Sequence, residues 1–298
     1  MPRTTIAYFS GTGNTWQVAR FYAEGLAARG HEVALLPLER QDEAALARLA
    51  DYDLVGLGYP IHAWNAPRLV AERLARWPSL AGQRAGEGRP AFVFVTARST
   101  VGGALDWART RLSRCGYQVV HQAPYFMGAY YLEGAANHPS PEQAARRLEW
   151  TRHEVHEAVV AIAEGRERRA YASDAARLIL SGAAWRLYLL GCRQAWHVLR
   201  ADARCTGCGA CVAACPTGNI ALDGAPAAGG PATRVRFGGA CTLCLRCLGV
   251  CPVQAIQLPP VTRTSRRYLA PGYAQTLSAP QVAGALGPEP THGADAPS

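Results

Sequence analysis

Eight of the ten cysteines lie between Cys205 and Cys251, and their spacing is the sharpest chemical statement in the chain. The pattern C-x2-C-x2-C-x3-C-P occurs twice, as Cys205, Cys208, Cys211, Cys215, Pro216 and as Cys241, Cys244, Cys247, Cys251, Pro252. The second copy sits 36 residues after the first at every position, and the register continues from Ile220 to Ile256 and from Leu222 to Leu258. This is an internal duplication without a gap. Thiolate sulfur is the soft ligand that iron and inorganic sulfide require, and two-residue gaps let one tight loop place three ligands around one face of a cube. In such a motif the fourth cysteine reaches the other cluster, so the chain is expected to cross over itself. Cys205, Cys208, Cys211 and Cys251 then form one ligand set, and Cys241, Cys244, Cys247 and Cys215 the second. The competing reading is a pair of zinc sites, since C-x2-C is also a zinc spacing. Zinc takes its ligands in two pairs per site, whereas two identical four-cysteine runs that each end in Cys-Pro match cluster binding.

Over about residues 200 to 258 the chain resembles the bacterial ferredoxin family with two [4Fe-4S] clusters. All eight ligand positions and both prolines match. The resemblance implies two [4Fe-4S] clusters and electron transfer to or from a redox partner protein.

A second chemical feature lies near the start. Thr4 to Phe9 reads as a short apolar strand that runs into Ser10-Gly11-Thr12-Gly13-Asn14-Thr15 and then into an amphipathic helix to about Arg29. A strand, a polar turn with glycines and a helix N-terminus present N–H groups and hydroxyls to an anion, and the helix dipole favours the negative charge. No Gly-Lys-Ser/Thr ending is present, which excludes a Walker loop, and the third glycine of G-x-G-x-x-G would be Trp16. A plain helix cap and turn is the bland alternative. The S-x-T-G-N-T run resembles the flavodoxin family, whose loop binds the monophosphate of FMN. The resemblance implies phosphate binding by Ser10, Thr12, Gly13, Asn14 and Thr15.

The elements that must position these residues alternate between strand and helix. Asp53 to Gly58 is a buried strand ending in Tyr59-Pro60-Ile61-His62-Ala63-Trp64-Asn65-Ala66-Pro67, an aromatic loop at the carboxyl end of a parallel strand, where ligands of open α/β sheets sit. Trp64 is the candidate apolar wall for a flavin ring, with Tyr59 behind it, Pro60 and Asn65 beside it, and His62 as a donor to the ring edge or a plain loop residue. Ala91 to Thr96 is a fourth strand, followed by a Thr96-to-Gly103 loop that brings Thr96 and Arg98 to the same end. Tyr117 to Pro124 is the fifth strand, and a helix runs from about Pro141 to Glu164. Tyr125 to Tyr131, rich in aromatics, reads as packing. The element order fits the flavodoxin fold, a doubly wound parallel five-stranded α/β sheet over residues 3 to 165, followed by a small α+β dicluster ferredoxin domain. The two halves together resemble prokaryotic fusions of a flavodoxin-like domain with such a ferredoxin.

The expected division is a flavodoxin-like FMN-binding domain over 1–165, a linker and interdomain helix over 166–200, the ferredoxin domain over 201–258, and a Pro/Ala/Gly-rich tail over 259–298. Around Tyr268 to Tyr273 the tail is expected to lie back on the protein, and its last twenty residues are expected to be disordered. In the linker, a charged hinge (Arg166-Glu167-Arg168-Arg169) precedes a helix capped by Asp174 and running to about Leu199. Leu178, Trp185, Leu189, Cys192, Trp196 and Leu199 fall near one face, with Arg186, Arg193 and Arg200 as a stripe beside it. Arginines interrupt it too often for a transmembrane span. It reads as an interdomain helix, and its aromatics make partner docking or a peripheral membrane contact through residues 175–199 the alternative.

With 298 residues and 49% hydrophobic content the chain can bury two real cores. The formal net charge of +9 invites a nucleic-acid reading. Two oxidised clusters and a flavin phosphate, each about −2, bring it to roughly +3, and the sequence holds no lysine, so a composition bias explains the excess of arginine and no nucleic-acid partner is expected. Cys115 and Cys192 stand apart from the motifs and read as buried free thiols. The start, MPRTTIAYFSGTG, shows no apolar signal region or twin arginine, which points to the cytoplasm. No Ser/His/Asp or Cys/His constellation argues for hydrolysis. The expected function is electron relay between two [4Fe-4S] clusters and FMN. The alternatives are a ferredoxin-type carrier whose first domain docks without FMN, and a redox sensor.

Overall fold

The computed structural model of the chain describes residues 1–80, 88–127, 140–169, 175–194, 197–223, 234–259, 262 and 267–278. Five parallel strands, β1 (Arg3–Tyr8), β2 (Glu32–Pro37), β3 (Leu54–Pro60), β4 (Arg89–Ala97) and β5 (Tyr117–Phe126), form a sheet in the order β2-β1-β3-β4-β5. That order is the flavodoxin-like doubly wound arrangement, whose topological switch lies between β1 and β3. β3 and β4 are buried along nearly their whole length, as strands covered on both faces must be. On one face α1 (Asn14–Ala27) and α5 (Pro141–Ala163) enclose Ile6, Tyr22, Phe92, Phe94, Val155 and Val159. The short α2 (Glu43–Ala47), with α3 (Arg68–Ala75) and α4 (Ala104–Arg114), covers the other face around Leu57, Val93, Val95 and Leu105. α5 starts at a full capping box, with Ser140 accepting from the Gln143 N–H and the Gln143 side chain accepting from the Ser140 N–H.

Gly56 and Gly58 of β3 lie in register with Phe92 and Phe94 of β4. A Cβ at either glycine would run into the ring of its partner. The two rings pack on Tyr22 with centroids 4.8 and 5.0 Å away. The aromatic layer under α1 therefore exists because β3 lacks side chains there.

β5 runs two residues further than the sequence suggests. Tyr125 is buried, with its hydroxyl 2.8 Å from that of Tyr22, so the start of the aromatic run does pack in the core, and Gly128 to Tyr131 lie outside the described residues. The charged hinge contains a sixth strand, β6 (Arg168–Arg169), parallel to β5 at His121 and Gln122. Cys115 is half-buried rather than buried, with its thiol 3.9 Å from the Trp77 carbonyl, and Cys192 is fully buried; both are free.

α6 (Ala175–Gln194) joins the two halves, and Asp174 and Trp196 lie outside the described residues. Its inward stripe is Ser181 and Cys192, which are buried, with Trp185 and Tyr188, which are half-buried; this corrects the expected face, since Leu178 is 41% exposed and Leu199 lies past the helix in the core of the second domain. There β7 (Arg200–Ala201) pairs antiparallel with β10 (Ile256–Gln257), and β8 (Ile220–Asp223) with β9 (Arg234–Phe237). α7 (Ala210–Ala214) and α8 (Arg246–Val250) pack between them over Ile220, Leu248 and Ile256. The 36-residue repeat is thus visible as two equivalent helices. After β10 the chain returns to the first domain and ends its described part in α9 (Tyr273–Ser278), and residues 279–298 lie outside the described part.

Gly58→Ala should lower the stability of the first domain by about 1–3 kcal/mol through overpacking against Phe94, read as a lower denaturant midpoint with an unchanged m-value.

Candidate functional site

The cysteine loops are built by backbone conformations that L-residues rarely adopt. In the first loop Gly207, Gly209 and Gly218 have φ of 70°, 76° and 61°. At the equivalent positions of the second loop Leu243, Leu245 and Gln254 take the same left-handed conformation, at 49°, 60° and 51°. These turns direct backbone donors at sulfur. The Leu243 N–H meets Cys241 Sγ at 3.3 Å, the Asn219 N–H meets Cys215 Sγ at 3.3 Å and the Ala255 N–H meets Cys251 Sγ at 3.2 Å. Such bonds favour the thiolate.

The eight thiols surround two cavities. One is lined by Cys215, Cys241, Cys244 and Cys247, together with Leu243 and Leu245. The other is lined by Cys205, Cys208, Cys211 and Cys251. Each set takes three cysteines from one repeat and the fourth from the other. A tetrahedral zinc ion draws four sulfurs to about 2.3 Å from its centre. Among the described residues no three His, Cys, Asp or Glu converge on a single metal ion. Burial pushes the Cys211 and Cys241 thiols up to about 11 and the Cys244 thiol up to about 12, so ligation must displace protons.

The Ser10-to-Thr15 loop joins β1 to α1, with Gly13 at φ 101° as the turn before the helix. Its two sides have different partners. The carbonyls of Ser10 and Gly11 accept from Arg246, and that of Thr12 accepts from the Ala270 N–H at 2.8 Å. On the other side the N–H groups of Thr12, Asn14 and Thr15 meet no acceptor among the described residues. Ser10 Oγ accepts from the Gly13 N–H, Thr15 Oγ1 lies 2.7 Å from Thr96 Oγ1, and Asn14 Oδ1 accepts from the Tyr268 hydroxyl. The carbonyl side is therefore clamped while amide donors at a helix N-terminus stay unused, which fits a bound phosphate.

Around this loop, Trp64 is 47% exposed, and its indole N–H donates to Thr100 Oγ1 at 3.0 Å. Ala63 and Trp64 both have positive φ, and Gly102 packs against Trp64 so closely that a Cβ there would meet the Trp64 Cβ and carbonyl. Pro60 is half-buried at the end of β3, and Arg98 is exposed beyond β4. Two residues stand elsewhere than expected. Tyr59 is fully buried, edge-on to Trp107, and its hydroxyl donates to the Ala104 carbonyl, so no face is left for a ligand. Asn65 is buried, its Oδ1 accepting from the Ala66 N–H. His62 points to α6. Tyr188 donates its one hydroxyl proton to the Thr242 carbonyl at 2.8 Å, so His62 Nδ1, 2.8 Å from that hydroxyl, carries the proton of the bond between them. Burial at this seam pushes the His62 imidazole down to about 4, so it is neutral at pH 7.

Arg246 holds the two domains together and is 2% exposed. Its Nη2 lies 2.6 Å from the Ser10 carbonyl and from Glu39 Oε1 and 2.9 Å from the Tyr273 hydroxyl, which share its two protons, and its Nη1 donates to the Ala214 carbonyl at 3.2 Å. Thr242 Oγ1 accepts from the Leu69 N–H in the first turn of α3, and the Trp185 indole donates to the Ala66 carbonyl. Sequence reasoning missed Arg246, Thr242 and Tyr188. The available signal for Arg246 was its position between Cys244 and Cys247, in a chain where arginine is otherwise abundant.

Residues 204–255 match the 4Fe-4S dicluster domain family. No curated protein matches the chain by sequence. Among solved structures the chain is similar to oxidised Flavodoxin 2 from Bacillus cereus, at 21% identity over 54% of this chain and 98% of that one, with a TM-score of 0.40. It is similar to two-electron reduced Megasphaera elsdenii flavodoxin at 19% identity over 51% and 98%, with a TM-score of 0.35. A third is rubredoxin oxygen:oxidoreductase from Desulfovibrio gigas, at 19% identity over 53% and 36%, with a TM-score of 0.36. The fold assignment rests on strand order and direction; the cluster-domain match supports an electron-transfer role.

Replacing Arg246 with Met should cost about 3–5 kcal/mol, because Glu39 is left as a buried carboxylate without its cation. Glu39→Gln in the same chain should recover part of that loss. Equilibrium unfolding of the iron-loaded protein reads both, and additive losses would show that the two residues are not coupled.

Proposed function

We propose that the chain is a flavodoxin-ferredoxin fusion that relays electrons between two [4Fe-4S] clusters and an FMN. One observation carries this reading: the loop of Cys244 packs directly on the phosphate-type loop. A Cβ on Gly11 would collide with the Cys244 carbonyl, and Cys244 itself packs against the core of the sheet domain. A carrier with an independent docking domain has no need for such contact. Here the absence of one side chain brings a cluster ligand and an anion-binding loop together.

Cys205, Cys208, Cys211 and Cys251 hold the outer cluster in this reading, and Cys215, Cys241, Cys244 and Cys247 the inner one. Cys208 is exposed, which gives a redox partner protein access to the outer set. The N–H groups of Thr12, Asn14 and Thr15, with the hydroxyls of Ser10, Thr12, Thr15 and Thr96, bind the FMN phosphate around the Gly13 turn. Trp64 supplies the flat wall for the ring, held in place by Thr100 and Gly102. Arg98 lies at the same end of the sheet. A cluster passes one electron at a time whereas FMN holds one or two, so the pair converts between the two kinds of transfer. The protein's part is to fix the two binding loops against each other and to keep Leu243 and Leu245 between the inner set and water.

Anaerobic purification should give about eight irons and about one FMN per chain, with flavin and clusters reduced together in a reductive titration followed by visible and EPR spectra. About eight irons without FMN, even after reconstitution, would sink the relay and leave a carrier with a docking domain. Trp64→Ala should weaken FMN binding about tenfold while iron content stays unchanged.

A further inference from the structure

α6 is apolar on both sides, and only one side is covered. Ser181, Trp185, Tyr188 and Cys192 face the protein. On the opposite face Ile179, Leu180, Leu187 and Leu190 are 72%, 67%, 70% and 61% exposed. Exposed large aliphatics are scattered singly on most surfaces, whereas four on one helical face form a contiguous patch of the kind that marks an interaction site. Arg186 and Arg193 lie along one edge of this patch and are exposed, as is Arg200 just beyond it. From Ala175 to Ala201 the sequence has four arginines and neither aspartate nor glutamate.

From this patch we infer that α6 is a membrane-surface helix that lays Ile179, Leu180, Leu187 and Leu190 into the interface of an anionic lipid bilayer. Three features select lipid over other occupants. The patch is aliphatic, whereas the anchors of protein interfaces are Trp, Tyr and Arg with leucine under-represented. A second copy of the same face would bring Arg186 and Arg193 against their own equivalents, with no carboxylate on the helix to separate them. Arginines at the edge of an aliphatic face can bury their stems while the guanidinium stays at headgroup level, where an anionic surface attracts it. No helix among the described residues is long and apolar enough to cross a membrane, so α6 lies in the plane of the surface. This inference does not depend on whether FMN binds.

The test is flotation of the full iron-loaded chain with vesicles of phosphatidylcholine alone and of phosphatidylcholine mixed with phosphatidylglycerol. The expected result is binding to the mixed vesicles that is about tenfold or more stronger than to the neutral ones. Leu187→Glu with Leu190→Glu should abolish it, and Arg186→Gln with Arg193→Gln should remove the preference for anionic lipid. Iron content and circular dichroism confirm that each variant is folded, which the exposure of all four positions favours. Failure to float with either vesicle would overturn the inference, as would equal binding to both. A dimer in solution that Leu187→Glu disperses would assign the patch to a second copy and overturn it as well.

Discussion

A single buried guanidinium decides how the two halves of this protein sit. Arg246 lies inside the second cysteine motif yet spends its donors on the first domain and on the C-terminal strap. Taking a guanidinium and the Glu39 carboxylate out of water is costly, and such a pair adds little net stability compared with apolar residues of equal volume. Its effect is on orientation. One guanidinium nitrogen meets a carbonyl, a carboxylate and a hydroxyl from three separate segments, so the cluster loop cannot slide on the Ser10-to-Thr15 loop without exposing an unpaired charge. The contact between Gly11 and Cys244 follows from that restraint.

The two cysteine loops share a backbone path and differ in what it costs. Glycines take the left-handed positions of the first loop with little strain, and two leucines and a glutamine take them in the second. A left-handed non-glycine residue costs on the order of 1–3 kcal/mol. Fully burying a leucine contributes about 1.5–3 kcal/mol, and Leu243 and Leu245 are half-buried, so their packing offsets part of that cost. Leu243 and Leu245 line the cavity of the inner thiol set and join the core of the second domain. The first repeat keeps an easy backbone and leaves Cys208 exposed; the second accepts a harder backbone and gains an apolar screen. One duplicated sequence has thus produced two different electrostatic environments for the same ligand set.

Much of this was legible in the amino-acid sequence because it depends on local spacing. The crossed cysteine sets follow from C-x2-C-x2-C-x3-C, and the strand-loop-helix around Ser10 to Thr15 follows from a short apolar run meeting hydroxyls and glycines. The sheet was legible from its buried strands, though β6 was hidden in a charged segment two residues long that gives no periodic signal. Tyr59 was misread because alternation along β3 turns it inward against Trp107, which a loop reading of Tyr59 to Pro67 ignored. The stripe on α6 was misjudged because a helix apolar on two opposite faces does not say which one packs, and its packed face is chosen by Ala66 and Thr242, far away in sequence. Arg246 was invisible for the same reason: its partners in the first domain, Ser10, Gly11 and Glu39, stand more than two hundred residues away.

The strap formed by residues 267–278 gives the two sides of the Ser10-to-Thr15 loop different histories. The Thr12 carbonyl and Gly13 are covered by Ala270 and Tyr273, which leave the ribosome about 260 residues later. At about 5–20 residues per second that interval is roughly 13–52 s. In the later part of it the whole sheet through β5 has been synthesised while the outer side of the loop is bare. The amide side, by contrast, is complete as soon as the sheet closes. The order of synthesis therefore makes the locking of the loop from behind the last event, and the strap acts as a seal applied to an amide side that is already formed.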